Sequence, residues 1–178
     1  MKHINLISLT QAFDALEKEA YKNFLVFYGI KIKDKEIHNL KSLIATWKDI
    51  GSIVGIFNQF YVGYTILQIA KEFDLLQFGK DCVINIELKS SSTEDKILQQ
   101  LKRNKYYLSF LKKEVHSYTF VDDELKKLYR LDDDALKEVD VQTLVDRLSQ
   151  QKVINIDEID KLFNPSDYLV DLSQNLQK

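Results

Sequence analysis

The segment 72–89 constrains this chain more than any other. It reads Glu72-Phe73-Asp74-Leu75-Leu76-Gln77-Phe78, then Gly79-Lys80-Asp81, then Cys82-Val83-Ile84-Asn85-Ile86-Glu87-Leu88-Lys89. Two apolar-rich runs around a short glycine-containing break form the pattern of a β-hairpin. The second run alternates: Cys82, Ile84, Ile86 and Leu88 point one way, and Val83, Asn85, Glu87 and Lys89 the other. One face is wholly apolar. The other carries a carboxylate and an ammonium two positions apart, so Glu87 is expected on a polar face where it buries little area. If the turn closes between Gly79 and Cys82, residue numbers across the hairpin sum to 161. Asp74 then lies opposite Glu87, Leu76 lies opposite Asn85, and Phe73 and Leu75 join the apolar face with Leu88 and Ile86. Directly opposed Cβ atoms are roughly 4.5–5.5 Å apart, and two carboxylates so close repel unless a cation sits between them. A slip of one residue would send Asp74 to the face opposite Glu87. The same letters also describe an exposed strand face with ordinary surface charges.

The rest of the chain supplies a setting. At 178 residues it is long enough for one domain with a substantial core. Helical spacing runs from about Thr10 to Phe24 through Phe13, Leu16, Ala20 and Phe24. A second helix is expected from a cap at Asp34 to about Asp49, with Ile37, Leu40, Ile44 and Trp47 on one stripe. A first strand covers Phe60 to Ile66, ahead of the hairpin. Ser91-Ser92-Thr93-Glu94 has the form of a capping box opening a helix to about Lys113, with Ile97, Leu101, Leu108 and Leu111 as its core stripe. Val115 to Val121 is a fourth strand in which Tyr118 and Phe120 belong to the core. A further hairpin joins 128–131 to 136–139 across Asp132-Asp133-Asp134. Asp140 caps a helix with Val141, Leu144, Val145 and Leu148 on one face, and a short helix follows around Ile156 to Phe163. The expected fold is α/β with a central mixed sheet flanked by helices. It divides into a helical amino-terminal part (1–55), a core (about 60–121) and an α/β carboxy-terminal extension (122–178).

This order, with Asp74 on the second strand, Glu87-Leu88-Lys89 on the third and a helix next, resembles the PD-(D/E)XK nuclease superfamily. Phe73 stands where the family's namesake proline would be. The resemblance implies a restriction-endonuclease-like core and a metal-dependent phosphodiesterase acting on DNA. Asp74, Glu87 and the Leu88 carbonyl would hold Mg²⁺, with Mn²⁺ as the alternative ion. Lys89 would position the nucleophile or neutralise the transition state. Members often carry Gln or Lys facing the metal on the next helix; Gln100 is the candidate here, flanked by Asn104 and Tyr107. An acid from the first helices can join such a site, and Glu17, Glu19 and Glu36 are all eligible. The sequence is also similar to the amino-terminal nuclease-like domain of bacterial nuclease-helicase fusion proteins, through Gly63-Tyr64, Lys71 to Leu76, Ile84 to Lys89, Leu128-Tyr129 and Asn164 to Leu169. That likeness implies a helicase in the same or a partner polypeptide, and leaves open that the chain is a fragment. The alternatives are a non-catalytic nucleic-acid-binding or protein-docking module of the same fold, or a nuclease directed at RNA.

Charge and motif content narrow the classes further. The formal net charge is −2, so nucleic acid would have to bind a local patch. Lys96, Lys102, Arg103, Lys105, Lys112 and Lys113, with Tyr106 and Tyr107, make the long helix basic; Lys102, Arg103 and Lys105 are the candidate backbone contacts. The competing reading is a solvated helix face balanced by Glu94, Asp95 and Glu114. His3, His38 and His116 are scattered and form no zinc pattern with the single cysteine, Cys82, a small residue on the apolar strand face. No G-x-x-x-x-G-K-[ST] or G-x-S-x-G element is present. Asp132-Asp133-Asp134 lacks the spacing of a calcium loop and reads as a solvated turn. No apolar run has membrane-spanning length, so no membrane partner and a cytoplasmic location are expected.

Overall fold

The computed structural model describes residues 1–49, 54–164 and 166. Its elements follow one another as α1 (Leu6–Ala15), α2 (Lys18–Tyr28), α3 (Asp34–Asp49), β1 (Tyr61–Ile66), β2 (Lys71–Phe78), β3 (Cys82–Lys89), α4 (Glu94–Ser109), β4 (Glu114–Val121), β5 (Lys127–Asp132), β6 (Ala135–Val139) and α5 (Val141–Gln150). Single 3₁₀ turns lie at Val54–Phe57, Leu67–Ile69 and Ile159–Leu162. Six strands form one sheet in chain order. The β3–β4 pair is parallel and bridged by α4, and every other neighbouring pair is antiparallel. The protein is therefore α/β with a mixed sheet.

The hairpin adopts the register that alternation demands. Leu75 pairs with Ile86, Leu76 with Asn85, Gln77 with Ile84 and Phe78 with Val83. Ile84, Ile86, Leu88 and Leu75 pack with Leu40, Ile44 and Trp47 of α3 and Leu144 and Leu148 of α5 in the main core, where Tyr118 and Phe120 are also buried. The opposite sheet face is covered as well. Val83, Leu76 and Phe78 join Leu108 of α4 and Ile159 and Phe163 of the carboxy-terminal segment in a second cluster. A third unites Ile97 and Leu101 of α4 with Val121, Tyr129 and Leu131. β3 is thus buried on both faces, as expected of a strand with a parallel neighbour and a crossover helix.

Several expectations are corrected. Phe73 does not stay with Leu75; it belongs to the second cluster, with its ring 6.5 Å from that of Phe163. The cause lies at Gly63, whose φ of 67° interrupts β1 opposite this point, between the pairs Val62–Leu75 and Tyr64–Phe73. The first expected helix is two: Leu16 is extended at φ −88°, ψ 143°, and the residue is 40 % exposed. Asn5 starts α1 earlier than expected, its side chain accepting from the Ile7 and Ser8 N–H groups. Asp34 opens α3 without capping it. The Lys33 carbonyl takes the Ile37 N–H, and the Glu36 carboxylate reaches back to the Lys33 N–H at 2.8 Å, so Lys33 is the cap. The Ser91–Glu94 box does not close: Thr93 is the N-cap, without a side-chain bond, and Glu94 receives the Tyr129 hydroxyl. α4 stops at Ser109, before the left-handed Lys112 (φ 55°). The expected late helix is a single 3₁₀ turn. Of the Asn164 to Leu169 stretch, residues 165 and 167–169 lie outside the described residues.

Candidate active site

The hairpin ladder ends at Leu75–Ile86. β3 keeps its pairing with β4 through Glu87–Thr119, Leu88–Phe120 and Lys89–Val121, so it is β2 that leaves. With the next strand carbonyl gone, the Leu88 N–H donates to Asp74 Oδ2 at 2.7 Å. The Asp74 carboxylate therefore occupies the opening between the two strands, one residue beyond their last backbone pair. Asp74 is thus bonded to Leu88 rather than paired across the ladder with Glu87, whose charge acts on it from the same splayed region.

Glu87 departs from expectation in its burial. It is 1 % exposed, because α4 lies over it. Gln100 Nε2 donates to its Oε2 at 2.6 Å, and Asn104 Nδ2 and Asn85 Nδ2 donate to its Oε1 at 2.8 and 3.0 Å. Asn104 Nδ2 also reaches Asn85 Oδ1 at 2.8 Å, and Asn85 Nδ2 is 3.3 Å from the Leu75 carbonyl. Three amides thus converge on one buried carboxylate, the condition under which a charge can be kept out of water. The helix period sets this up. Gln100, Asn104 and Tyr107 fall on one α4 face, and Asn104 takes the turn between the core residues Leu101 and Leu108.

Electrostatics tie further residues to the pair. Burial first, and then the charge of Glu87, raise the Asp74 carboxyl well above the usual carboxylate range; the Leu88 N–H and Lys89 oppose the shift, and Glu36 adds to it. Lys71, at the start of β2, is pulled below its ordinary value by burial, against the attraction of Glu87 and Asp74 and with help from Arg103 and Lys89. Its Nζ donates to the Glu72 carbonyl at 2.7 Å and lies 4.7 Å from the centroid of the Phe73 ring. Asp74, Glu87, Lys89, Lys71, Arg103 and, at the margin, Glu36 thus share one electrostatic neighbourhood. Among the described residues no group of three or more His, Cys, Asp or Glu side chains is placed to hold a metal ion. Two carboxylates whose mutual repulsion raises one of them still suit Mg²⁺, which commonly takes one or two protein carboxylates and completes its shell with water and substrate phosphate.

The other expected residues fall into two sets. Of the three eligible acids, Glu36 is the one whose charge acts on Asp74, whereas Glu17 and Glu19 are exposed around the start of α2. The basic trio does not form one patch. Arg103 is exposed on the side that acts on Lys71. Lys105 is turned away, its Nζ donating to the Asp133 carbonyl of the β5–β6 turn at 3.1 Å. Lys102, one position from Arg103, is half-buried. Sequence reasoning missed Lys71 and the amide role of Asn85. The signal for Asn85 and Asn104 was available: each is an amide at a position where strand alternation or the helical stripe closes a buried layer.

No family model, no curated protein and no solved structure matches the chain. No helix among the described residues is long and apolar enough to cross a membrane.

Proposed function

We propose that this chain is a metal-dependent nuclease domain of the PD-(D/E)XK type, hydrolysing phosphodiester bonds in DNA, with a restriction-endonuclease-like core in residues 60–121. The observation that carries this reading is that Asp74, in the opening where β2 parts from β3, lies within the electrostatic reach of the Glu87 carboxylate, with Lys89 two residues beyond Glu87 on the same strand. Asp74, Glu87 and the Leu88 carbonyl would hold Mg²⁺ or Mn²⁺. Such an ion, when bound, would supply an acidified water and a positive charge beside the phosphate. Gln100 and Asn104 fix the Glu87 carboxylate. The Lys89 ammonium, with no ion pair among the described residues, is available to orient the nucleophile or meet charge on the phosphate oxygens. Exposed Arg103 would contact the nucleic-acid backbone. A helicase acting beside such a domain belongs to the same proposal.

A second reading rests on a specific feature: both Glu87 oxygens already accept amide hydrogens. That arrangement also suits a non-catalytic nucleic-acid-binding module in which the amides stand in for the cation. One experiment separates the two. Purified protein is incubated with linear and supercoiled DNA, and with RNA, in Mg²⁺, Mn²⁺ or EDTA, alongside Asp74→Asn and Lys89→Met. Cleavage that requires the ion and falls at least a hundredfold in both variants is expected. Binding without cleavage in either metal would establish the module instead, and cleavage of RNA alone would change the substrate class.

A further inference from the structure

The far end of the sheet holds a second polar site. A cavity of about 540 Å³ opens between the last turn of α4, the first residues of β4, the end of β5 and α5. It is separate from the Asp74–Glu87 opening. His116 pairs with Ile84 and Thr119 with Glu87, three residues or roughly 10 Å apart along the strand. His116 also alternates with Tyr118, which belongs to the main core, whereas Glu87 meets α4.

Four basic side chains line this cavity: Lys105, whose Nζ donates to the Asp133 carbonyl, Lys113, Arg130 and Arg147. Lys113 Nζ donates to the Gly79 carbonyl at 2.6 Å, a neutral partner that leaves its charge uncompensated. Arg130 is 3.3 Å from Asp132, a carboxylate already engaged by Lys137. Arg147 is half-buried and has no carboxylate partner among the described residues. Both guanidinium groups act on the buried Tyr118 hydroxyl. Burial first and Arg147 second hold the His116 imidazole below its ordinary value, against the attraction of Glu114. Three acids also line the space. Asp132 is the one in the ion pairs, Asp133 is exposed, and Glu114, 69 % exposed, is 3.2 Å from His116 Nε2. The half-buried charge is therefore mainly cationic. Planar guanidinium forks bind tetrahedral oxyanions bidentately, and a space of this volume is in the range of small-ligand sites. Among the described residues no Phe, Tyr or Trp lines it, so those residues offer no stacking platform for a base.

We propose that this cavity binds the phosphate group of a small phosphorylated ligand through Arg130 and Arg147, independently of the Asp74–Glu87 centre. The test is calorimetric titration of the full chain with inorganic pyrophosphate in EDTA, which keeps divalent ions from the carboxylates. Saturable one-site binding is expected, weakened at least tenfold in Arg147→Gln and in Arg130→Gln and unchanged in Asp74→Asn. A melting curve accompanies each variant; should either arginine variant unfold, Lys113→Gln replaces it, with a severalfold loss expected. Competition by a 5′-phosphorylated oligonucleotide but not its 5′-hydroxyl twin would assign the phosphate to a nucleic-acid end; competition by neither would assign it to a free metabolite. Both outcomes keep the site. It is overturned if millimolar pyrophosphate gives no saturable binding, if the folded arginine variants bind like the parent, or if Asp74→Asn abolishes binding.

Discussion

Glu87 shows how far one side chain's environment can depart from its place in a pattern. Alternation places it on the face shared by Val83, Asn85 and Lys89, and that is where it lies. Alternation says nothing about what covers that face, and α4 does so completely. Glu87→Ala is therefore not a silent probe of chemistry. It leaves the Gln100, Asn104 and Asn85 amides short of an acceptor, and a loss of about 2–4 kcal/mol is expected from unmet buried donors, read as a lower urea midpoint with unchanged slope. A midpoint equal to the parent's would mean that the amide network carries no weight. Asp74 is the cleaner probe, because Asn at this position can still accept from the Leu88 N–H. Its carboxyl titrates above the ordinary Asp range in the folded protein, so between those two values the folded state holds a proton that the unfolded chain has lost. Stability should then fall as pH rises through the raised value. Asp74→Asn removes that loss, so its melting temperature should exceed the parent's at pH 8 and approach it near pH 4. Mg²⁺ should reverse the order by binding the parent alone. At a hundredfold excess over Kd the gain is about 2.7 kcal/mol, or roughly 5–10 °C for a chain of this size. A parent melting temperature indifferent to both pH and Mg²⁺ would remove the electrostatic argument.

At the scale of elements, the sheet was easier to read than the helices. β3 has the expected bounds, and the four register pairs of the hairpin all sum to 161, because a buried face punishes any one-residue slip. α3 ends at Asp49 as expected, and its stripe of Ile37, Leu40, Ile44 and Trp47 is wholly buried. Helix ends were less legible, since they depend on competition for a few backbone groups. Glu94 is claimed by Tyr129, 35 residues away, and so does not close a box with Ser91. The period of Phe13, Leu16, Ala20 and Phe24 survives a break at Leu16, because two helices in sequence can present a stripe as well as one. Gly63 explains what no pattern disclosed, the departure of Phe73 from its expected face. Its φ is 67°, and a Cβ there would stand 2.0 Å from the Lys31 carbonyl oxygen. Gly63→Ala should therefore cost about 1–2 kcal/mol from the left-handed backbone alone, and more once the clash is counted. Hydrogen exchange should show the β1 amides opening more readily, and unchanged protection there would argue against the close approach to Lys31.

For the molecule as a whole, local patterns sufficed for an α/β chain with a mixed sheet, while the arrangement of charge came from packing alone. Lys102, Arg103 and Lys105 read as one basic cluster in a linear sequence. On α4, positions 103 and 105 are about 200° apart around the axis, and the structure uses them differently. Lys105 is tied to the β5–β6 turn, while Arg103 is exposed beside the splayed strands and acts on Lys71. With a net charge of −2, the protein cannot rely on a diffuse positive field, so binding of a nucleic acid over Asp74 and Glu87 must come from the few cations at that opening: Lys71, Lys89 and Arg103. Each phosphate neutralised contributes about 0.7–0.9 to the slope of log affinity against log salt. Arg103→Ala should weaken binding to every sequence about equally and lower the slope by roughly one such step. Lys105→Ala, in which the lost charge lies on the other side of the helix, should leave the slope as it was. Fluorescence anisotropy of a labelled duplex over a salt series in Ca²⁺, an ion that occupies oxygen sites, measures both. The reverse pattern, with Lys105 and not Arg103 setting the slope, would move the nucleic acid away from the Asp74–Glu87 opening and take the nuclease proposal with it.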